Sequence, residues 1–178
     1  SFLATIATVV FCEILPHFPV GVSEVHFILG STLFLIFGVA PAAFGLAAGL
    51  LIQGLFFAPI DLPQYFMNLT SLLVPLFALS VIAKAVIAPN TAYADLSYRQ
   101  ALMLSTSYQA GVVGWVAFWV FYGQGFGAET FASVGLFGMA YMSVIILEPV
   151  VDLAVLALAK MMRDTPASGL MHPRVYSA

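Results

Sequence analysis

His26 is the side chain in this sequence best suited to hold a metal. A neutral imidazole is a good ligand for nickel, cobalt, copper or zinc, and Glu24 and His17 stand close to it in sequence. Spacing alone leaves two readings open, a ligand and an ordinary interfacial histidine. Isolated His and Glu residues form none of the paired spacings of established metal sites. Glu148 and Asp152 are a second group. Residues four apart share a helix face, so both carboxyl groups point the same way. A carboxylate at mid-bilayer costs roughly 2.5–3.5 kcal/mol on insertion scales, and such residues face the bundle interior. A substrate pathway and a helix-to-helix hydrogen bond both fit. Pro149, directly after Glu148, removes one helical donor. Gln53 and Asn68 form the third group. Amides of this kind bridge membrane helices for about 0.6 kcal/mol. By the threading below they fall with His26 toward the outer side, where the three would line an outward-facing pocket.

No nucleophile–base arrangement is present. Ser105, Thr106, Ser107 and Tyr108 cluster without a nearby histidine. Gly123-Gln124-Gly125-Phe126-Gly127 follows an apolar helix rather than a strand, which argues against a phosphate loop. The sequence therefore reads as a protein that is not an enzyme.

The elements that must position these groups are membrane helices. Apolar residues make up 62% of the chain and charged residues 7%, against about a quarter charged in soluble domains. The net charge of −3 argues against nucleic acid. Apolar runs cover Phe2–Leu15, Val25–Gly38, Pro41–Phe57, Phe66–Ile87, Ala101–Tyr122 and Phe131–Ala159. A bilayer core takes about 20 residues as a helix, so the expected fold is all-α, a polytopic membrane bundle of about six transmembrane helices. Ser23 is the expected N-cap of the second helix, with His26 in its first turn. Gly45 and Gly49 stand at helix-contact spacing. Trp115, Trp119, Tyr122 and Phe126 read as an interfacial belt.

Six crossings put Lys84, Arg99, Lys160, Arg163 and Arg174 on one side and Glu13, Glu24, Asp61 and Glu129 on the other. That is the positive-inside pattern. It predicts a transmembrane domain over 1–160 and a loose polar tail over 161–178, with the C-terminus cytoplasmic. The first run is short for a span, and the chain enters it directly from Ser1, so the sequence predicts residues before Ser1.

The order of features resembles the membrane-embedded substrate-binding permeases of cobalt and nickel energy-coupling factor transporters. His26 followed by Phe27-Ile28-Leu29-Gly30 resembles the family's histidine at the head of a short apolar helix. Ala40-Pro41-Ala42-Ala43 resembles its Gly-Pro-Trp-Ala-Ala turn, and Ile52-Gln53-Gly54-Leu55-Phe56-Phe57 its Gln-Ala-Leu-Leu-Phe helix end. Asn68 matches an asparagine after the following loop. Tyr141 to Glu148 resembles the last-helix segment in which a glutamate follows a His-Leu-x-Ile-Gly-like run, with Tyr141 in the histidine's place.

The resemblance implies a bundle in a prokaryotic inner membrane that takes Ni2+ or Co2+ as substrate from outside. A coupling membrane subunit and ATPase subunits would be its partners beside the lipid bilayer. It also implies a square-planar site made by a free N-terminus, the histidine beside it and a second histidine, which His26 matches. The family's Met-His start and first membrane helix are not among these residues; either they stand in the residues expected before Ser1, or the protein has lost the site. The alternative reading is a degenerate relative serving as a structural or accessory subunit among other membrane proteins.

Overall fold

The computed structural model describes residues 2–14, 18–20, 23–25 and 28–177, with side chains at 2–10 and at 28–177 apart from residue 167. Six α-helices dominate it: α1 (Phe2–Ile14), α2 (Gly30–Phe37), α3 (Val39–Phe56), α4 (Tyr65–Val86), α5 (Tyr98–Gln124) and α6 (Ala128–Met162). Between α1 and α2 lie two antiparallel three-residue strands, β1 (Phe18–Val20) and β2 (Ser23–Val25), with Phe18 opposite Val25. The architecture is the all-α membrane bundle that composition requires. Three helical segments, Val39–Phe56, Pro59–Val86 and Ala128–Met162, are both long and apolar enough to cross a bilayer.

The second expected crossing is different. Residues Ser23–Val25 are strand β2, not a helix start. The helix begins only at Gly30 and runs eight residues, about 12 Å at 1.5 Å per residue. Leu29 caps it in the left-handed conformation, φ 49°, which an α-helix cannot run through. The chain is thus extended at Ser23–Val25 and turns helical only at Gly30.

α1 packs on α3 with the two chains running in the same direction, Ala4 against Gly45 and Thr8 against Gly49. A Cβ on Gly45 would lie 2.8 Å from the Ala4 carbonyl carbon, so only glycine permits this approach. Pro75 lies inside α4 and Pro149 inside α6, and both helices continue through them. The core gathers Leu33, Leu46, Leu76, Leu104, Phe137 and Leu156 between α2, α3, α4, α5 and α6.

All five basic residues collect at one end. Lys84 closes α4, Arg99 opens α5 and Lys160 closes α6. Lys160 Nζ donates to the Ala94 carbonyl at 2.8 Å, and Arg163 pairs with Asp95 at 2.5 Å. The Gln100 amide donates to the Val86 carbonyl at 2.8 Å, tying the end of α4 to the start of α5. Ser97 and Gln100 form a reciprocal cap there. At the opposite end Phe121, Phe126 and Phe131 pack together, and Trp119 Nε1 donates to Thr70 Oγ1 at 3.0 Å. Asp61 and Glu129 belong to that end.

The sequence expects a loose tail over 161–178. The structure instead folds the segment through residue 177 back onto the basic end. Val175 is buried, the Tyr176 hydroxyl donates to the Ala159 carbonyl at 2.8 Å, and His172 meets Phe37 edge-on. Arg174 lies against Gly38, where α2 gives way to α3. Val175 and Tyr176 supply the contacts that seat it.

Candidate functional site

The point where α2 begins is also where the bundle keeps its buried polar groups. A helix start leaves backbone N–H groups without partners, and in lipid no water can supply them. Glu148, on α6 and fully buried, takes up two N–H groups just ahead of the first helical residue. Its carboxyl oxygens accept from the N–H of Ile28 at 3.1 Å and of Leu29 at 2.6 Å. Asp152, one turn further along α6, accepts from Ser31 Oγ at 2.5 Å and from Thr32 Oγ1. The i, i+4 carboxyl pair therefore holds α2 at four points, two on the backbone leading in and two in its first turn. A left-handed non-glycine residue costs roughly 1–2 kcal/mol, and Leu29 holds that conformation where Glu148 grips its N–H.

α5 closes the other side. Ser105 and Gln109, again i and i+4, face Asp152 and Glu148 respectively. Both residues are fully buried. Gln109 Oε1 accepts from the Tyr141 hydroxyl at 3.0 Å. Tyr108 packs against Gly30, where a Cβ would come within 2.3 Å of the tyrosine ring. Gly30 is therefore the residue that lets the start of α2 approach α5. Tyr93, in the short turn before α5 and outside the spans, is buried beside this cluster. Burial pushes its phenol above the ordinary tyrosine range.

Glu148 and Asp152 thus converge on one cluster. Gln53 is buried late in α3, and Asn68 is half-buried in the first turns of α4. Neither belongs to the cluster. His26 and His17 lie outside the described residues, as does the side chain of Glu24. Among the described residues no three His, Cys, Asp or Glu side chains come together as a metal ligand set. Sequence reasoning missed Ser31, Thr32, Gln109 and Gly30. A signal for part of this existed: Ser105 and Gln109 on α5 repeat the four-residue spacing of Glu148 and Asp152 on α6. Nothing local in the sequence pointed from α2 to α6, which are about 120 residues apart.

Fold and site together define an integral membrane bundle built around an interrupted helix with a buried polar anchor. The family of cobalt uptake substrate-specific transmembrane regions, CbiM, matches residues 1–165, and the chain belongs to that family. It is a family of transport components. No curated protein and no solved structure matches the chain.

Proposed function

We propose that this protein is the substrate-binding membrane component of an uptake transporter for a divalent transition metal, cobalt or nickel, and not an enzyme. The family match over residues 1–165 carries the reading, since that family takes up cobalt. His26 is the ligand the chain offers, because imidazole suits nickel and cobalt better than the hard oxygen-seeking ions. Glu24 and His17 are the further candidates beside it, and Gln53 and Asn68 line the approach. The basic end, with the C-terminus, faces the cytoplasm by the positive-inside rule in a prokaryotic inner membrane. Energy comes from ATPase subunits acting through a coupling membrane subunit.

Equilibrium binding of Co2+ and Ni2+ to the purified full-length protein and to His26→Ala tests the reading. A tight square-planar site needs about four ligands, so losing the imidazole should abolish binding rather than weaken it. Equal retention of metal by both proteins, or binding by neither, would overturn the transporter reading in favour of a structural subunit of a larger membrane complex.

A further inference from the structure

We propose that the C-terminal segment 166–177 is a strap across the joint between α2 and α3, and that α2 swings about Gly38 only when the strap lifts. The inference stands apart from the identity of the substrate. α2 ends at Phe37 and α3 begins at Val39, so a single residue, Gly38, is the whole connection. Its φ of 91° and ψ of 170° suit glycine and are barred to most side chains. Helical bonds reach it from both sides: its N–H donates to the Phe34 carbonyl at 2.8 Å, and its carbonyl accepts from the Ala42 N–H at 3.1 Å. Two helices joined in this way turn on two dihedral angles of one residue, which is what a hinge requires.

The start of α2 is fixed by Glu148 and Asp152. Its end is held differently. The last turn, Leu35-Ile36-Phe37, has no polar side chain to anchor it. Ile36 faces an apolar cavity of about 90 Å3, lined also by Tyr93, Leu158 and Met162 and by Met171 and Val175 of the strap. That free space lets the turn shift without first unpacking the core. The strap crosses from α6 to this turn. The Tyr176 hydroxyl holds the Ala159 carbonyl and Val175 is buried, while the His172 ring stands edge-on to Phe37 with centroids 5.2 Å apart. Arg174 lies at the hinge itself: a Cβ on Gly38 would come within 2.1 Å of its Nη1. A cation there meets the partial negative charge at the C-terminal end of a helix. Among the described residues no carboxylate pairs with Arg174. The family match ends at residue 165, so the strap lies beyond the matched bundle.

Hydrogen exchange of the full-length protein in lipid nanodiscs, read by mass spectrometry, tests the strap in wild type, Val175→Asp, Arg174→Gln and Arg163→Ala. Val175→Asp puts a charge at a buried position and unseats the strap. Arg174→Gln removes only the cation beside the hinge. Val175→Asp should speed exchange at Gly38 and Ala42 by about tenfold or more, while the amides of 104–112 in α5 keep their wild-type rates. Arg174→Gln should do the same more weakly, by about two- to fivefold. Arg163→Ala breaks an ion pair at the same end but off the joint, and should leave both stretches unchanged. Faster exchange of 166–177 with wild-type rates at Gly38 and Ala42 would overturn the inference. So would an equal rise at the hinge in Arg163→Ala. If Val175→Asp unfolds the bundle, Arg174→Gln decides alone: a rise shared equally by α5 means general loss of stability and sinks the strap.

Discussion

Replacing Gly45 by alanine adds one methyl group where α1 and α3 touch. The new Cβ would lie 2.7 Å from the Ala4 Cβ, 2.8 Å from its carbonyl carbon and 3.0 Å from its oxygen. Ordinary carbon contacts sit at about 3.5–4.0 Å. Two of the three atoms are backbone, so no rotamer change relieves the clash, and α1 must retreat by about 0.7–1.2 Å. A gap of 0.5–1 Å forfeits roughly a quarter to a half of the dispersion energy at the contact. Overpacking of this kind costs about 1–3 kcal/mol, against which alanine's helical preference over glycine returns about 0.5–1 kcal/mol. A net loss of about 1–2 kcal/mol should lower the unfolding temperature by roughly 2–8 °C for a chain of this size. Gly138→Ala is the same chemistry on α6, where a Cβ meets nothing within 4 Å, and it should hold or raise that temperature. Ala4→Gly should rescue Gly45→Ala only in part, because the backbone contact remains. Thermal unfolding in nanodiscs, followed by the fluorescence of Trp115 and Trp119, reads wild type and all three variants. Shifts of the same sign and size for Gly45→Ala and Gly138→Ala would refute the close-packing argument.

Gly30→Ala should cost about 1–3 kcal/mol by driving a methyl into the buried Tyr108 ring. The double variant with Tyr108→Ala should be less than additive in thermal unfolding, and strict additivity would contradict the contact. Tyr93 makes stability pH-dependent. Its folded-state pKa is raised, chiefly by burial, above the ordinary 10.0. The folded protein therefore holds this proton more tightly than the unfolded one. The contribution is fully present below about pH 10 and is lost as pH rises above it. Tyr93→Phe should flatten the alkaline fall in unfolding temperature, and an unchanged fall would remove Tyr93 as its source. Arg163→Ala breaks an ion pair whose partners are 41% and 49% exposed. It should cost less than about 1 kcal/mol, and a larger loss in 0.15 M salt would mean that the tail depends on it. Tyr176→Phe removes the bond to the Ala159 carbonyl and should cost about 0.5–1.5 kcal/mol. Its signature is faster proteolysis of residues 166–177, and wild-type cleavage rates would argue against a seated tail.

The sequence made the membrane class and the separation of charge legible because both follow from composition and helix length, which are local. Gly45 and Gly49 were legible for the same reason: small residues four apart mark a close helix contact. The start of α2 was not. Ser23 looks like a cap and Val25 like the first apolar position, yet the helix waits for Gly30 because Leu29 before it is left-handed, with its N–H held by Glu148 far along the chain. The carboxyl pair could be placed inside the bundle from cost alone, but not on its partners, since N–H groups leave no mark in a sequence. The tail was misread because its prolines and charges outweigh Val175 and Tyr176 in any window average. The seat that receives them exists only after folding.

The anchor at Glu148 also sets an order of assembly. An apolar stretch of about 20 residues is needed to enter a bilayer as a helix, and the eight residues of α2 fall well short. The carboxyl group that completes its start is synthesised about 120 residues later. During synthesis α2 therefore cannot settle as an autonomous span. It stays incompletely bonded until the last helix arrives, so the part of the chain made early is locked into place last. A ribosome-bound chain ending before α6 should leave Ile28 and Leu29 open to hydrogen exchange, and release of the finished chain should close them.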